Sequence, residues 1–412
     1  MILNYIWVGF FLIAFVVALI KLIVLQDMEV FPKMLQSTFD MAKTGFEISI
    51  GLTGVMSLWL GLMKIGERGG MVAILSRLVG PFFSRLFPEV PRNHPAIGSI
   101  IMNFSANMLG LDNAATPLGL KAMKELQDLN ADSDTASNAQ IMFLVLNTSG
   151  LTVIPLSIIA DRATLGSANP TSIFIPTLIA TFCSTLAGLI YVAIKQKINL
   201  FDRVVLGYLL GLSAVVWSAV LYFSSLSPEQ LQQQSTLATS IIIITIIILF
   251  IILGLTKKIP LFETFVDGAK EGFNTSIKII PFLIAMLVGI GLFRTSGTLT
   301  YITDGIAWIF TQLNVNTDFV GALPVAFMKP LSAQAARGMM IELAKTTPGG
   351  VDSFVSNLAS IFRGCAETTF YILAVYFGSV NVRKTRYAVS GGLIADVAGV
   401  IAAIFVGYMF FH

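Results

Sequence analysis

Long apolar runs separated by short polar segments dominate the chain, and they predict a series of membrane-crossing helices. Most of these runs hold about 20 residues with few charges, enough to cross a hydrocarbon core about 30 Å thick. The predicted spans cover residues 5–25, 45–65, 139–160, 173–195, 204–223, 238–256, 274–293, 357–380 and 388–411. No small-residue cleavage site follows the first run, so we expect a retained helix rather than a signal peptide. The pattern is that of an all-α polytopic membrane protein.

Three other apolar segments are too irregular or too amphipathic to be simple spans. Residues 95–117 and 321–338 are rich in Gly, Asn, Ser, Pro and Ala. Irregular backbone at membrane depth is tolerated only where it lines a cavity or is buried in protein, so we interpret both as re-entrant helical hairpins. In residues 70–87, Arg77 and Arg85 lie on one face of a helix, which is typical of an amphipathic helix at the membrane interface.

The chain also contains an internal repeat. Residues 42–50 read AKTGFEISI and residues 269–277 read AKEGFNTSI, so six of nine positions are identical at an offset of 227. At the same offset Gly70 aligns with Gly297. Two related halves in a membrane chain are typical of transporters built around a central site. The predicted division is an N-terminal helix in residues 1–30, a first gate repeat in 31–200, linking helices in 201–260 and a second gate repeat in 261–412.

The charges of the loops predict the orientation of these halves. Basic residues are concentrated in 64–92, 195–203, 257–270 and 381–386, whereas 161–172 holds only Arg162 and 224–237 holds none. Basic loops remain in the cytoplasm, which places the N-terminus in the cytoplasm and the C-terminus outside. The basic loop 64–92 aligns with 291–319, which holds only Arg294. Because the bias is exchanged between matching loops, we predict repeats of inverted topology.

Composition excludes several other classes of protein. Hydrophobic residues make up 55% of the chain and charged residues 12%, against about 25% charged residues in soluble domains. Cys183 and Cys365 form no CxxC motif, and two histidines are too few for a metal cluster. The chain has no phosphate-binding loop and no hydrolase motif. We therefore expect no enzyme, no cofactor, no bound metal and no nucleic-acid partner.

Polar side chains are concentrated in the two predicted hairpins, where the helices must break. Broken helices expose backbone N–H and C=O groups whose dipoles bind polar or charged solutes. The alternative is that these side chains only satisfy the turn of their own hairpin. The candidate substrate-binding residues are Asn103, Ser105, Asn107, Asp112, Asn113 and Thr116 in the first hairpin and Lys329, Ser332 and Gln334 in the second.

A second group of candidates lies inside the apolar spans that follow the hairpins. These are Asn147, Thr148 and Ser149 in the first half and Arg363, Glu367, Thr368 and Thr369 in the second. A carboxylate inside a membrane is costly unless it meets a cation, a proton or an arginine, so Glu367 is a candidate for ion or proton coupling. The alternative is that Arg363, one turn earlier, neutralises it. Asp396 in the last span is a second candidate for coupling.

These motifs resemble those of a known family. NFSANMLGLDNAATPLGLKAM (103–123) and FLVLNTSGLTVIP (143–155) resemble spore maturation protein A. FMKPLS (327–332) and CAETTFYILAVYFGSV (365–380) resemble spore maturation protein B, so the chain looks like a fusion of the two. Both belong to the nucleoside-recognition, or gate, domain group. The resemblance implies a fold similar to the hairpin-bearing core of concentrative nucleoside transporters, and a role in membrane transport.

We therefore expect a secondary transporter or permease that moves a small polar or charged solute through a central site between the two hairpins. Its partners would be the lipid bilayer and the solute, with H⁺ or Na⁺ as a coupling ion; assembly into a homo-oligomer stays open. The expected location is the cytoplasmic membrane of a bacterium. The alternatives are a non-transporting scaffold or assembly factor for the envelope or for spore maturation, and a lipid-handling protein.

Overall fold

A computed structural model describes residues 2–91, 93–108, 112–150 and 155–412. Across these residues the protein is α-helical, with two short 3₁₀ helices, Asp318–Ala322 and Gly350–Asp352, and no regular β-strand. The helices are α1 Ile2–Val24, α2 Val30–Arg68, α3 Met71–Leu86, α4 Pro95–Met108, α5 Asp112–Gln127, α6 Asn138–Ser149, α7 Leu156–Thr164, α8 Phe174–Gln196, α9 Arg203–Ser224, α10 Pro228–Thr256, α11 Leu261–Thr295, α12 Thr298–Gln312, α13 Leu323–Met328, α14 Ala333–Thr346, α15 Phe354–Gly364, α16 Thr369–Ser379 and α17 Ala388–Phe411.

The length and composition of these helices confirm an all-α polytopic membrane protein. Seven helical stretches in the described part of the chain are long and apolar enough to cross a membrane. An eighth is obtained if the end of α11 and α12, which meet at a bend of 66°, form one broken span. In such a chain each backbone N–H and C=O inside the bilayer needs a partner within the protein.

Two of the predicted spans are broken rather than continuous. The span predicted at 139–160 contains α6, which ends at Gly150, and α7, which begins at Leu156; residues 151–154 lie outside the described part. Gly150 has the left-handed conformation (φ 40°, ψ 77°) that ends many helices, because glycine adopts it without strain. The span predicted at 357–380 is divided into α15 and α16 by residues 365–368.

Helix pairs occupy the positions of both predicted hairpins. In the first, α4 packs against α5, and in the second the short α13 packs against α14. The predicted amphipathic helix corresponds to α3, which follows Gly70 with φ 92°. Its predicted repeat equivalent, α12, follows Gly297 with φ 89°. The matching left-handed glycines support the predicted repeat, while re-entry of the hairpins into a membrane stays a prediction.

The chain forms two compact units, each of which takes segments from both halves of the sequence. Unit 1 comprises Met1–Leu60, Ser157–Pro170 and Ala269–Arg363. Unit 2 comprises Gly61–Leu156, Thr171–Gly268 and Gly364–His412. This is a division by spatial proximity, and it differs from the predicted division into sequence repeats.

In unit 1, α2 and α11 pack closely in an antiparallel sense. A Cβ added at Gly45 would lie 2.9 Å from Ile284, and one added at Gly272 would lie 2.6 Å from the backbone carbonyl oxygen of Met56. At the repeat offset of 227, Gly45 is equivalent to Gly272, and Ser57, which also lies 2.7 Å from that Cβ position, is equivalent to Ile284. The same contact is therefore made twice with exchanged roles, as a two-fold axis requires. Because the equivalent helices α2 and α11 run antiparallel, they support the predicted inverted topology.

Unit 2 is built around α6, whose residues from Ala139 to Ser149 are all buried. The long helices α8 and α17 pack together and both contact α6. Phe104 of α4 contacts Phe143 of α6, which in turn contacts Tyr376 of α16. This packing fixes the last turn of α6, where the polar residues 147–149 lie.

The close approach in unit 1 predicts that Gly272→Ala destabilises the protein. The added methyl group meets backbone atoms of α2 that cannot rotate away, and overpacking of this kind costs about 1–3 kcal/mol. Gly54→Ala is the matched control, since no described atom lies within 4 Å of its Cβ position and alanine favours the helix. Thermal unfolding in detergent measures both. Equal melting temperatures for the two variants would contradict the close contact.

The antiparallel packing of the equivalent helices α2 and α11 also predicts on which side of the membrane two exposed residues lie. Arg77 and Asp304 are separated by the repeat offset, and both are exposed. In a Cys183→Ala and Cys365→Ala background, an impermeant thiol reagent added to intact cells should label Asp304→Cys and spare Arg77→Cys. Both positions should be labelled after lysis. Labelling of both from the same side of the membrane would refute the inverted topology.

Candidate functional site

Three asparagines form a hydrogen-bonded chain in unit 2, which we call the amide chain. Asn107 Nδ2 donates to Asn147 Oδ1 at 2.8 Å and to Asn103 Oδ1 at 3.4 Å. The other two amides are anchored, because Asn103 Nδ2 donates to the carbonyl of Ala115 and Asn147 Nδ2 to that of Phe143, each at 2.8 Å. Asn103 and Asn147 are buried, whereas Asn107 is half-buried and reaches a cavity. The chain thus presents an amide at a cavity wall.

The packing around the amide chain depends on Gly119 of α5. A Cβ at this position would collide with the hydroxyl of Tyr376 and would lie 2.9 Å from Asn103 Nδ2. Glycine here lets the Tyr376 hydroxyl approach the Asn103 amide from α16. Ser105, also on α4, has its hydroxyl 3.1 Å from that of Ser76 on α3 and donates to the carbonyl of Ile101 at 2.8 Å.

The broken end of α6 is satisfied by other elements of unit 2. Three successive carbonyl groups there accept hydrogen bonds from outside the helix. The N–H of Glu367 donates to the Thr148 carbonyl at 2.7 Å. Thr185 Oγ1 donates to the Ser149 carbonyl at 3.3 Å, and Thr181 Oγ1 donates to the Gly150 carbonyl at 2.6 Å. The last turn of α6, the break before α16 and one face of α8 therefore meet at one place.

The hydroxyls of Thr148 and Ser149 have a local role. They donate to the carbonyls of Val145 at 2.9 Å and Leu146 at 3.1 Å within α6. Such bonds are available to any serine or threonine in a helix. The structure therefore separates Asn147, which bonds to another helix, from Thr148 and Ser149, whose side chains bond to their own helix.

Glu367 and Asp396, the predicted coupling residues, both lie in unit 2. The half-buried Glu367 side chain lies against Gly150, where an added Cβ would be 2.7 Å from its Cγ. Asp396 of α17 is 5% exposed and accepts a hydrogen bond from Thr369 Oγ1 at 2.7 Å. Thr368 directly follows Glu367, and its buried hydroxyl has no hydrogen-bond partner in the described residues. The predicted residues 367–369 and 147–149 are thus adjacent.

Unit 1 contains a group of buried charges instead of amides. Asp161 of α7 is fully buried and forms ion pairs with Arg337 of α14 and Arg363 of α15. Arg337 donates twice to one carboxylate oxygen of Asp161, from Nη2 at 2.5 Å and from Nε at 3.2 Å. Arg363 donates to the other oxygen and reaches Ser157 Oγ at 3.4 Å. One carboxylate therefore joins three helices, in what we call the arginine cluster.

Two further ion pairs support unit 1. Arg162, 1% exposed, pairs with Asp352 at 2.9 Å and donates to the Val351 carbonyl at 3.0 Å. Arg294 pairs with the fully buried Glu342. The prediction placed Arg162 and Arg294 in loops, which was wrong: they lie in α7 and α11. An arginine can be held at such a position because its carboxylate partner comes from another segment of the chain.

The candidates of the second hairpin lie near the start of α14. Ser332 Oγ caps this helix by accepting from the N–H of Ala335 at 3.1 Å, a local role. Lys329 is 8% exposed at the turn before it. The buried Oε1 of Gln334 has no hydrogen-bond partner in the described residues, and Gln334 lies one helical turn before Arg337.

The remaining candidates give less information. The side chains of Asp112 and Asn113 lie outside the described residues, and Thr116 is half-buried on α5. Arg363 pairs with Asp161, a residue that the sequence analysis did not select. Within the described residues no group of three or more His, Cys, Asp or Glu side chains could hold a metal ion. The feature of the sequence that could have identified Asp161 and Arg162 is their position directly after an apolar run.

Comparisons with known proteins place these motifs in context. Residues 49–164 match the family described as Gate: Nucleoside recognition. The chain is 44% identical to spore maturation protein A of Bacillus subtilis over 187 residues, which is 45% of this chain and 92% of that protein. It is 42% identical to spore maturation protein B of the same organism over 161 residues, 39% of this chain and 88% of that protein. No solved structure matches.

The arginine cluster predicts a large loss of stability for Asp161→Asn. The change leaves two buried guanidinium groups without their carboxylate, and breaking a buried ion pair costs about 3–5 kcal/mol. Glu47→Gln is the control, because the exposed Lys43–Glu47 pair contributes about 0–1 kcal/mol. The measurement is the melting temperature in detergent together with the yield of monodisperse protein. A shift for Asp161→Asn no larger than that of the control would contradict the structural role.

Proposed function

We propose that this chain, which belongs to the spore maturation protein A and B family and matches the family Gate: Nucleoside recognition over residues 49–164, is a secondary transporter or permease for a small polar solute. The observation that carries the proposal is the amide chain of unit 2. It lies beside the broken end of α6 in a protein with at least seven apolar spans in its described part. Polar groups are expensive at membrane depth, and they are characteristic of solute pathways.

The chemistry of the amide chain suits a neutral or zwitterionic solute. Asn107 uses both Nδ2 hydrogens within the amide chain, which leaves its Oδ1 as an acceptor for a donor group of the solute. The donors of Asn103 and Asn147 are directed to backbone carbonyls, which fixes their orientation. Asn107 is the half-buried member at the cavity, so it is the residue that we expect to meet the solute. Nucleosides, with amide-like base edges and ribose hydroxyls, are the first probes.

Glu367 is the residue that we propose for coupling to an ion gradient. Its backbone N–H completes the broken end of α6, and its side chain lies against Gly150. A carboxylate there can take up H⁺ or bind Na⁺ beside the backbone carbonyls of the break, an arrangement found in secondary transporters. Asp396, held by Thr369, is the second proposed coupling residue.

The orientation is part of the same proposal. The location is the cytoplasmic membrane of a bacterium, with the N-terminus in the cytoplasm, the C-terminus outside and the two repeats inverted. The antiparallel contact of Gly45 and Gly272 with their equivalent partners supports the inversion. The basic loops support the placement of the N-terminus in the cytoplasm and the C-terminus outside.

A non-transporting scaffold is the second candidate. The observation that favours it is the local satisfaction of Thr148, Ser149 and Ser332, whose side chains bond to their own helix or cap. A scaffold would need its polar groups only for stability. Substitutions in the amide chain would then change the melting temperature and leave any solute flux unaffected.

We predict that Asn107→Ala and Glu367→Gln each lower solute uptake by at least about tenfold. Asn107→Ala removes a hydrogen bond to the solute, and about 1.4 kcal/mol corresponds to a tenfold change in rate. Glu367→Gln removes the carboxylate that we propose for ion coupling. Purified protein in liposomes would be assayed with radiolabelled uridine and adenosine, with and without a proton or sodium gradient. Ser218→Ala on α9 is the control, because that exposed hydroxyl bonds only to Val215 of its own helix.

Three outcomes of this assay separate the candidates. Uptake that needs a gradient and falls in both variants supports the transporter. Uptake that is unchanged in both variants, although each is folded, refutes the proposed site. Liposomes with wild-type protein that take up neither nucleoside under any gradient refute the nucleoside class, and a wider panel of amino acids and small amides then tests the transport activity itself.

A further inference from the structure

Unit 2 contains a cavity of about 670 Å³ whose walls are almost entirely apolar. Its described walls come from α3, α4, α6, α8 and α9, including Phe82, Phe104, Leu189 and Leu212. The volume falls in the range of about 300–1,000 Å³ typical of ligand sites. The many apolar side chains of this lining suit an apolar ligand, whereas Asn107, which lines the same cavity, belongs to the amide chain.

Two glycines on α9 give the cavity a groove. Gly207 and Gly211 are one helical turn apart and both line the cavity. Pairs of small residues at this spacing commonly allow two helices to approach closely. Here they do not, because no described atom lies within 4 Å of the Cβ position of either glycine. The pair instead leaves a strip of bare backbone about 6 Å long, given a rise of about 1.5 Å per residue.

The groove is accessible from the side that faces lipid. Among the seven spans in the described residues, α9 has the smallest buried share, and its exposed side chains include Leu210, Val215 and Trp217. Its contact with α3 is held by Tyr208, whose hydroxyl donates to the Leu78 carbonyl at 2.5 Å and whose ring lies 5.4 Å from Phe82. A helix at the margin of a unit, with apolar residues on both faces, is in contact with acyl chains.

One end of the groove is positively charged. Arg203, the first residue of α9, lines the cavity and is exposed. Lys195 lies in the last turn of α8 and Lys197 in the connection that precedes α9, and both are exposed. Its acidic residue, Asp202, caps α9 and pairs with Arg85 at 3.2 Å. Asp202 therefore compensates Arg85, and the other three cations give this end a net positive charge.

We propose that the groove is a specific site for an anionic phospholipid. One acyl chain lies along Gly207 and Gly211, and the phosphate and anionic headgroup meet Arg203 and the neighbouring lysines. Apolar walls and a cationic end match the two parts of such a lipid, because each cation near a membrane surface adds to the attraction of an anionic headgroup. Asn107 lines the same cavity, so the acyl chain would lie beside the amide chain.

The lipid would share its cavity with the amide chain, but its binding is measured without any transport, so failure of the lipid site and failure of the transport proposal are distinguishable. The test of the lipid site therefore uses binding alone. Protein purified in a non-ionic detergent would be titrated with phosphatidylglycerol or phosphatidylcholine of the same acyl composition, and bound lipid would be counted by native mass spectrometry. We expect one phosphatidylglycerol to bind at least tenfold more tightly than any further lipid and at least tenfold more tightly than phosphatidylcholine.

Two variants test the two parts of the site. Gly207→Leu combined with Gly211→Leu fills the groove and should abolish the tight site, while leucine favours the helix over glycine. Arg203→Gln leaves the groove open and should remove the preference for phosphatidylglycerol. Gly54→Leu is the control, since it adds leucine to an exposed helix position that lines no part of this cavity.

The outcomes are distinguishable. Equal affinity of wild type and the double leucine variant for phosphatidylglycerol would overturn the groove as the binding site. Equal affinity of wild type for the two lipids would overturn the anionic specificity and indicate ordinary surrounding lipid. If the double leucine variant does not purify as folded protein, Arg203→Gln decides alone, because a surface change of this kind leaves the helix packing intact.

Discussion

A helix that ends inside protein, away from water, leaves its last carbonyl groups without partners, and unit 2 meets this need at the buried end of α6. The carbonyls of Thr148, Ser149 and Gly150 accept hydrogen bonds from Glu367, Thr185 and Thr181. Without these donors each carbonyl would cost several kcal/mol in hydrocarbon. The threonines of α8 and the break before α16 therefore lie where they do because α6 stops. The amide chain is a consequence, since the same break brings Asn147 to the side of α4.

Unit 1 solves a different problem, the burial of charge. Asp161 is fully buried, and it is stabilised there because Arg337 and Arg363 each donate to a different oxygen. A pair of this kind contributes little net stability compared with apolar packing, but it penalises every arrangement in which the partners are apart. The cluster joins α7 to α14 and α15, which lie more than 170 residues further along the chain. It thus acts chiefly by specifying which helices meet.

The sequence predicted those features that depend on local pattern. Apolar runs located the spans, and the concentration of Gly, Asn and Pro located the helix pairs α4–α5 and α13–α14. The repeat offset matched Gly70 with Gly297, and both have the left-handed conformation that opens the following helix. Each of these signals is contained within a short stretch of chain, where residue type alone constrains the backbone.

Features that depend on distant partners could not be predicted in this way. Asp161 and Arg162 follow an apolar run and were interpreted as the start of a loop, because adjacent charges normally mark the end of a span. Their partners lie more than 170 positions further along the chain. The position of the break after Ser149 was equally hidden, since Thr148 and Ser149 are compatible with a continuous helix. No local sequence pattern identifies Thr181 as the donor that allows α6 to end there.

Backbone contacts and polar side chains differ in how closely they follow the predicted repeat. The predicted repeat retains its backbone contacts, as the paired approaches at Gly45 and Gly272 indicate. The polar side chains do not follow the repeat, because the amide chain lies in the first half of the sequence, whereas the arginine cluster takes Asp161 from the first half and both arginines from the second. Backbone contacts resist change because they leave no room for a side chain, whereas a side chain at a helix break only needs some partner. Polar side chains can therefore change while the fold stays the same, which is why the proposed solute is argued from Asn103, Asn107 and Asn147 and not from the repeat.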